Sequence, residues 1–331
     1  MKETLNKLIN HEILPKEEAK QIVVNMAKGE YNTSQIAAFL TVYMMRSVTI
    51  EELEGFRDAL LELCLAVDLG EYDPIDLCGT GGDGKDTFNI STLASFVVAG
   101  AGIHVTKHGN YGVSSKCGSS NVMEHLGLRF SNDRDFLRRC IEQTGICVLH
   151  APLFHPAMKN VGPIRKELAV KTFFNMLGPM VNPAFPKNQM VGVYNLELAR
   201  MYGYLYQNTD KRFTILNALD GYDEISLTGD TKIISNRSEA MLGPADFGVD
   251  RVDKADIAGG EDVAGSAEIF LKVLQGKGSR AQNDVVCANA GMALATVQGC
   301  TPREGFEKAR GSLLAGKGLE ALKKLQKLSA L

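Results

Sequence analysis

Residues 76–92 read DLCGTGGDGKDTFNIST, in which four glycines lie between an apolar segment and a predicted helix. The apolar residues at 75–78 predict a buried strand, and residues 91–100 predict the helix that follows the glycines. Glycines let the backbone turn sharply and approach a ligand closely, while the N–H groups at a helix start favour an anion. The stretch therefore predicts a strand, a phosphate-binding loop and a helix, which is typical of an α/β fold.

Two known phosphate-binding motifs match this loop only in part. The spacing at 79–84 fits the dinucleotide-binding pattern, but no Asp or Glu lies between Asp86 and Glu124 to hold a ribose hydroxyl. The spacing at 79–85 resembles a P-loop, but the residue after its lysine is Asp86 rather than Ser or Thr. Because Asp83 would repel a bare phosphate, we expect it to hold a cation that bridges to the phosphate.

Short apolar runs alternate with helical patterns after residue 70, whereas the first 65 or so residues show helical patterns alone. Strands are predicted at 75–78, 103–106, 146–149, 190–194, 213–218 and 232–235. Helices are predicted in this part at 91–100, 121–126, 133–144, 156–168, 196–208, 264–274, 282–298 and 302–328. The alternation indicates a mainly parallel sheet flanked by helices, with ligands at the carboxyl ends of the strands. In the helical region, Asn32 is a predicted helix cap, and Thr49 with Glu52 is a predicted capping box.

Composition excludes several other classes of protein. The 331 residues suit either two small domains or one large domain with an appendage. A formal net charge of −3 argues against a dedicated nucleic-acid binder. The N-terminal residues carry charges throughout and contain no apolar signal-peptide core, and no stretch predicts a membrane span. The seven cysteines form no C-x-x-C pair, so we expect reduced thiols in a cytoplasmic protein.

Three further segments carry groups that suit a phosphorylated sugar and a carboxylate. KHGN at 107–110 is predicted to follow the strand at 103–106 and brings a cation and an amide to the sheet edge. His155 and Arg165 are predicted on one helix, nearly three turns apart, and an arginine can bind a carboxylate through two hydrogen bonds, although surface arginines are commoner. The adjacent acids at 223–224 suit magnesium, but such pairs are also typical of solvated surface.

These segments together resemble the anthranilate phosphoribosyltransferase family, whose members join anthranilate to phosphoribosyl pyrophosphate (PRPP) in tryptophan biosynthesis. The resemblance extends over nearly the whole chain. The matching motifs are GTGGD at 79–83, NIST at 89–92, KHGN at 107–110, SS at 114–115, GS at 118–119, HPAM at 155–158, Arg165, NMLGP at 175–179, NP at 182–183 and DE at 223–224.

The resemblance implies two domains and a defined reaction. A small all-helical domain would comprise residues 1–69 with a returning segment near 166–184, and a larger α/β domain would comprise 70–165 and 185–331. The enzyme would transfer the phosphoribosyl group of PRPP to the amine of anthranilate, giving N-(5-phosphoribosyl)anthranilate and pyrophosphate. The resemblance also implies a homodimer with about two Mg²⁺ ions per subunit, and neither a nucleic acid nor a membrane as partner.

The resemblance also implies which residues bind each ligand. Residues implied to bind the donor PRPP are Gly79, Gly82, Asp83, Thr87, Asn89, Ile90, Ser91, Thr92, Lys107, His108, Gly109, Asn110, Tyr111, Gly112, Val113, Ser114, Ser115 and Ser119. Those implied for anthranilate are Gly79, Asn110, His155, Arg165 and Gly178, and those for magnesium are Ser91, Asp223 and Glu224. No catalytic residue is certain from this likeness, and His108 is the one candidate proton acceptor.

The chain departs from the family's common wording at three places. Tyr111 stands where an arginine is common, which predicts weaker donor binding, and GSSN at 118–121 replaces the common GSAD. The approach DGY at 220–222 to the acidic pair is also uncommon. Two alternatives stay open: an enzyme resembling the pyrimidine nucleoside phosphorylases, which are similar in fold and loops, and a non-catalytic relative that binds nucleic acid.

Overall fold

The computed structural model describes residues 1–112 and 117–330. Three of the expected donor-binding residues, Val113, Ser114 and Ser115, lie outside this range. In chain order the helices are α1 Lys2–Ile9, α2 Lys16–Ala27, α3 Thr33–Met45, α4 Ile50–Leu63, α5 Ile90–Gly100, α6 Ser119–His125, α7 Arg134–Thr144, α8 Ala151–Phe154, α9 Gly162–Leu168, α10 Phe174–Leu177, α11 Leu196–Tyr206, α12 Pro244–Phe247, α13 Val263–Leu274, α14 Arg280–Gln298, α15 Pro302–Leu314 and α16 Lys317–Ser329. The strands are β1 Ile75–Gly79, β2 Val105–Gly109, β3 Ile146–His150, β4 Asn188–Gly192, β5 Arg212–Ala218, β6 Thr231–Ser235 and β7 Glu239–Leu242.

The chain divides into two compact units. Met1–Val67 with Ala151–Phe185 forms the first unit, and Asp68–His150 with Pro186–Leu331 forms the second. The seven strands lie in the second unit, whereas the described elements of the first are helices and short 3₁₀ turns. The domain boundaries expected from the sequence, 1–69 with a return near 166–184, stay a prediction.

Aromatic side chains hold the two pieces of the first unit together. The Phe56 ring on α4 stacks on the Phe173 ring with centroids 4.2 Å apart. Phe39 and Tyr43 on α3 both meet these two rings edge to face. Because Phe173 directly precedes α10, this cluster fixes the returning segment against α3 and α4.

The predicted caps of α3 and α4 are confirmed, and one of them has a second role. Asn32 forms a capping box with Gln35, and Thr49 forms one with Glu52. The Glu52 side chain is 0% exposed and also accepts hydrogen bonds from Leu14 N–H, the Tyr43 hydroxyl and Arg46. Burial opposes ionisation of Glu52, but these donors outweigh it and hold the pKa of the carboxyl below its ordinary value.

The second unit contains a seven-stranded sheet in the order β3-β2-β1-β4-β5-β6-β7. The five strands from β3 to β5 run parallel, and β6 and β7 are antiparallel to their neighbours. Helices α5 and α14 pack against each other and against the central strands. The predicted α/β class with a mainly parallel sheet is therefore confirmed, and the carboxyl ends of β1, β2 and β4 lie at one edge.

The structure corrects several element bounds. β2 runs to Gly109, so Lys107 and His108 lie inside the strand rather than after it, because their buried side chains break the apolar pattern. The predicted helix 156–168 is two elements, a 3₁₀ turn at Pro156–Lys159 and α9, so His155 and Arg165 do not share one helix. The predicted helix 302–328 is also two, because Gly316 adopts a positive φ of 68° between α15 and α16.

Two strands show where apolar pattern fails as a guide. β4 begins at Asn188, two residues before the prediction, because Asn188 and Gln189 are polar yet fully buried. The apolar pattern does not predict β7, which is four residues long and half exposed. None of the helices in the described part of the chain combines the length and the apolar character that a membrane span requires.

Candidate active site

The glycine loop follows β1 and ends where α5 begins. Gly81, Gly82 and Gly84 have positive φ angles of 67°, 78° and 70°, a region that other residues rarely adopt. The Gly81 N–H donates to Asp223 Oδ2 at 2.7 Å, so the loop is tied to the acidic pair. The predicted sharp turn is confirmed, and its glycines are required by backbone conformation.

Two paired glycines make room for the acidic pair. Gly79 ends β1 and Gly192 ends β4, and the two residues are register partners in the sheet. A Cβ on Gly79 would collide with the Asp223 carboxylate, and a Cβ on Gly192 would collide with the Asp223 backbone. The segment carrying Asp223 therefore lies directly against the carboxyl ends of two neighbouring strands.

Asp223 and Glu224 are buried, each 8% exposed, in contrast to the solvated surface that such a pair could have formed. Burial, followed by the nearby Asp83 carboxylate, raises the pKa of Asp223. Burial and the charge of Asp223 raise the pKa of Glu224, and the charge of Lys107 opposes that rise. The Glu224 carboxylate accepts the Ser91 N–H at 3.2 Å, which joins the pair to the start of α5.

Lys107 supplies a fixed cation beside these acids. Its side chain is 4% exposed, and Nζ donates to the Leu77 carbonyl at 2.5 Å and to Ser91 Oγ at 3.5 Å. Ser91, Lys107 and Glu224 are thus brought together from α5, β2 and the loop before β6. The sequence expectation that these residues share one site is supported by this geometry, although their roles stay a prediction.

The oxygen atoms at this site suit magnesium. Asp83 Oδ2 is buried and accepts no hydrogen bond from the described residues, and Asp223 and Glu224 add carboxylate oxygens whose ionised forms are disfavoured without a cation. Within residues 1–112 and 117–330, no three His, Cys, Asp or Glu side chains form a complete metal-binding group. Mg²⁺ usually takes one or two carboxylates and completes its shell with water and substrate phosphates, so the residues fit this ion.

The remaining donor-binding predictions lie around the same sheet edge. His108 is buried at 5% exposure, and its N–H donates to Asp76 Oδ1 at 3.2 Å. Asn89 precedes α5 and donates from Nδ2 to the Cys117 carbonyl at 3.2 Å, and Ser119 Oγ donates to the Asn110 carbonyl at 3.3 Å.

Four predicted donor residues have other surroundings. The Ile90 and Thr92 side chains on α5 are buried, and the Ile90 N–H donates to the Phe88 carbonyl at 2.7 Å. Thr87 forms an isolated antiparallel bridge with Ala258. The Tyr111 hydroxyl lies 3.3 Å from a Glu124 carboxylate oxygen, and its ring meets the His150 ring edge to face at 4.7 Å.

The predicted anthranilate residues His155, Arg165 and Gly178 belong to the first unit. Burial lowers the pKa of His155 to about 4, against opposing hydrogen bonds to the backbone of Val181 and Leu60, so the ring is neutral at pH 7. A Cβ on Gly178 would meet no atom within 4 Å, which leaves open space there.

Arg165 is held in place with part of its guanidinium unsatisfied. One terminal nitrogen donates to Asn175 Oδ1 at 3.1 Å, and the group lies 5.3 Å from the Phe174 ring centroid. Its Nε is buried and has no acceptor among the described residues, and burial lowers the pKa of the side chain. Such a cation suits a carboxylate ligand.

Two residues important to the site were missed in the sequence. Gly192 could have been suspected only as a glycine at a strand end. Asn289 on α14 is 0% exposed, accepts the Ile225 N–H at 3.0 Å and donates to the Ile225 carbonyl at 2.9 Å. It thereby fixes the backbone immediately after Glu224, and its only sequence signal is an amide inside an apolar helix.

Two family models that describe one class of enzyme match this chain. Residues 71–319 match the family model described as glycosyl transferase family, a/b domain, and residues 2–64 match the glycosyl transferase family, helical bundle domain. The matches correspond to the parallel sheet with its glycine loop and to the N-terminal helices. They define the class as a glycosyl transferase.

A closely similar relative narrows this class. Anthranilate phosphoribosyltransferase of Flavobacterium johnsoniae is 71% identical over 329 residues, which cover 99% of this chain and 100% of that protein. The chain belongs to the anthranilate phosphoribosyltransferase family.

Solved structures agree with this assignment. Anthranilate phosphoribosyltransferase from Thermus thermophilus superposes with a TM-score of 0.92 at 29% identity, covering 99% of each chain. The Saccharomyces cerevisiae enzyme in complex with PRPP and Mg has a TM-score of 0.90 at 26% identity, covering 98% of this chain and 96% of that one. The same yeast enzyme in complex with 4-fluoroanthranilate has a TM-score of 0.88 at 25% identity and the same coverage.

Proposed function

We propose that this chain transfers the phosphoribosyl group of PRPP to the amine of anthranilate, releasing pyrophosphate and N-(5-phosphoribosyl)anthranilate. The observation that carries the proposal is the buried pair Asp223 and Glu224, placed against the glycine loop beside Lys107 and Ser91. A phosphate-binding loop, a fixed cation and under-neutralised carboxylates are the groups that a magnesium-bound diphosphate requires.

The second unit would bind and activate the donor. N–H groups of the glycine loop would face the diphosphate as preorganised dipoles, and Lys107 would neutralise part of its charge. Asp223 and Glu224 would hold one Mg²⁺ and Ser91 would reach a second, so we propose about two ions per subunit. Bound there, magnesium would spread the charge that develops on the leaving pyrophosphate.

The acceptor requires orientation more than activation. The aniline nitrogen of anthranilate is neutral at pH 7 and nucleophilic, so no strong base is needed before attack. Arg165 would bind the anthranilate carboxylate through the part of its guanidinium that lacks an acceptor, and Asn110 would hydrogen-bond near the amine. Holding both reactants in line would supply much of the rate.

The helical unit carries an apolar surface that suits a homodimer. Ile9, Ile13 and Met45 are 61%, 59% and 81% exposed, and Met44 is 44% exposed. Helices α1 and α3 pack against each other. The exposed residues Ile9, at the end of α1, and Met45, at the end of α3, therefore belong to one packed pair of helices. Light scattering should give twice the chain mass for the wild type, and Met45→Glu should shift the equilibrium towards monomer.

A fluorescence assay tests the reaction. Anthranilate emission should fall only when PRPP and Mg²⁺ are both present, and omission of either should leave it unchanged. Release of a free base from a pyrimidine nucleoside in phosphate buffer would favour the phosphorylase alternative instead. Growth of a strain lacking its own anthranilate phosphoribosyltransferase, without tryptophan, should be restored by this chain.

Cytoplasmic location and the absence of a nucleic-acid partner complete the proposal. The seven cysteines, all within the described residues, are free thiols. The net charge of −3 gives little attraction to a polyanion. A salt-sensitive gel shift with nucleic acid would contradict the second point.

A further inference from the structure

Asp76 is a buried acid that lies outside both the glycine loop and the acidic pair. It is the second residue of β1, a central strand of the sheet, and its side chain is 0% exposed. A buried carboxylate is unfavourable unless hydrogen bonds or an opposite charge compensate for its lost hydration. Its place in the sheet therefore indicates specific contacts with neighbouring groups.

The two oxygens of the Asp76 carboxylate accept hydrogen bonds from two different strands. Oδ1 accepts the backbone N–H of His108 on β2 at 3.2 Å, and Oδ2 accepts the Cys78 thiol on β1 at 3.5 Å. The first bond joins neighbouring strands, whereas the second stays within one strand and comes from a weak donor. Oδ1 is therefore the atom through which Asp76 acts on β2.

Side-chain hydrogen bonds join β1 to β2 towards the carboxyl ends of these strands. β1 is in register with β4 through five residues, and β2 is in register with β3 through five. In contrast, β1 and β2 are register partners at their first residues. Further along, Asp76 accepts the His108 N–H, and Lys107 Nζ donates to the Leu77 carbonyl. The end of β2 is thus fixed against β1 by two side chains, one from each strand.

The end of β2 carries two residues that are expected to bind the donor, Lys107 and His108. Lys107 Nζ also donates to Ser91 Oγ at 3.5 Å, and the lysine charge opposes the rise in the pKa of Glu224. A displacement of this strand end would therefore move a cation relative to the groups that are proposed to hold magnesium. His108, whose N–H is the donor to Asp76, would move with it.

We propose that Asp76 is a positioning residue for the donor, whose carboxylate holds the carboxyl end of β2 in place and with it Lys107 and His108. The inference rests on the proposed function, because PRPP is the ligand that these two residues are expected to bind. Since the donor to Oδ1 is a neutral backbone N–H, an amide oxygen at the same place can also accept it. The acceptor at residue 76 should therefore matter more than its negative charge.

Two variants and a matched control test the acceptor. Asp76→Ala removes it, and we expect the PRPP Kd and KM to rise about tenfold, while the KM for anthranilate stays unchanged. Asp76→Asn keeps an acceptor oxygen, and we expect a PRPP Kd within about threefold of wild type. Cys78→Ala is the control, because it removes the donor to Oδ2 and leaves the bond to His108, so it should bind PRPP as wild type does.

The binding measurement uses PRPP with Mg²⁺ and no anthranilate, by calorimetry, and steady-state kinetics gives the KM values. Hydrogen exchange without any ligand supplies a readout independent of the reaction. The His108 amide should exchange faster in Asp76→Ala than in wild type, Asp76→Asn or Cys78→Ala. Wild-type PRPP affinity in a folded Asp76→Ala protein would overturn the proposal, as would unchanged exchange of the His108 amide. An Asp76→Asn protein that binds PRPP as weakly as Asp76→Ala would overturn the role of the acceptor.

If Asp76→Ala does not fold, Asp76→Leu takes its place in both measurements. Its methyl groups fill similar space and remove both acceptors without burying a charge, a kind of replacement that proteins often tolerate. The same increases are expected, and the same unchanged values would contradict the proposal. A wild-type protein that neither binds PRPP nor consumes anthranilate would instead refute the proposed function. The exchange data would still show in that case whether Asp76 holds the end of β2.

Discussion

Glu52 in the first unit and the pair Asp223 and Glu224 in the second are all buried carboxyls, yet their surroundings have opposite effects. Glu52 accepts hydrogen bonds from Leu14 N–H, the Tyr43 hydroxyl and Arg46, and its pKa is held below the ordinary value despite burial. Burial and neighbouring carboxylates raise the pKa values of Asp223 and Glu224.

The difference separates a structural acid from acids that can take a ligand. A buried carboxylate with a cation and several donors is already neutralised and stabilises the packing around it. A buried carboxylate that faces other carboxylates is destabilised until a cation or a proton arrives. Perturbation of this second kind is typical of functional sites.

The largest expected effect is the loss of activity when the buried acids Asp223 and Glu224 are neutralised by substitution. Asp223→Asn with Glu224→Gln should lower kcat/KM by about a thousandfold, because several kcal/mol of metal-mediated stabilisation is lost. The free energy of unfolding in EDTA should stay the same or rise, since two unfavourable buried charges disappear. The assay is anthranilate consumption over a magnesium titration, together with urea unfolding.

Exposed acids of the same unit provide the control. Asp253→Asn with Asp256→Asn changes the same charge at two exposed positions and should leave both measurements as in wild type. An unchanged magnesium dependence in the Asp223 and Glu224 variant would remove these residues from the metal site.

Substitution of Glu52 should have the reverse effect, a loss of stability without a loss of activity. Glu52→Gln leaves the Arg46 cation without its carboxylate and should lower the free energy of unfolding by about 3 kcal/mol. Activity per folded molecule at 25 °C should stay near wild type, because the loss concerns the packing of the first unit. Urea unfolding and an activity assay on the same preparation measure both quantities. A Glu52→Gln protein of wild-type stability would show that this carboxylate contributes nothing net.

Arg165 extends the comparison to a buried cation. Its guanidinium lacks part of its hydrogen-bond acceptors, as Asp223 and Glu224 lack a neutralising cation, and we expect its loss to affect ligand binding as the loss of those acids does. Arg165→Ala should raise the KM for anthranilate about tenfold or more and the KM for PRPP far less, because a hydrogen bond to a charged group is lost. Arg139→Ala, at an exposed arginine, is the matched control. Equal increases in both KM values would contradict the assigned contact with the anthranilate carboxylate.

The smallest effect is a pair of opposite pH dependences of stability. The lowered pKa of Glu52 contributes stability above the unfolded value of about 4.3, and that contribution is lost as the pH falls through the folded value. The raised pKa values of Asp223 and Glu224 have the opposite sign: the folded state binds the extra protons, so stability falls as the pH rises above about 4.

Differences between wild type and variants isolate these two contributions. In EDTA, the stability advantage of wild type over Glu52→Gln should shrink as the pH falls from about 5 to about 3. The stability of wild type relative to the Asp223 and Glu224 double variant should fall as the pH rises from about 5 to about 8. Parallel unfolding curves for all three proteins across this range would remove the distinction drawn between the two kinds of buried acid.

Much of the fold could be predicted because its signals are local. Apolar periodicity located six of the seven strands, and the caps at Asn32 and Thr49 followed from neighbouring residues. The predicted strand bounds were wrong where a polar side chain is buried, as at Lys107 inside β2 and Asn188 at the start of β4. A polar side chain in a buried strand depends on partners from other elements, which the local pattern does not contain.

The glycine loop, KHGN motif and adjacent acids were recognisable because backbone turns and phosphate contacts require specific residue types over a few positions. The charge states of the acids could not be predicted from the sequence, because Glu52 and Asp223 are both carboxylic acids and nothing in the adjacent residues distinguishes their surroundings. Glu52 acquires its donors from Leu14 and Tyr43, and Asp223 meets Gly81 across 142 positions of sequence. Folding sets which donors, cations and carboxylates surround each acid, and the free energy of a buried charge depends on those neighbours.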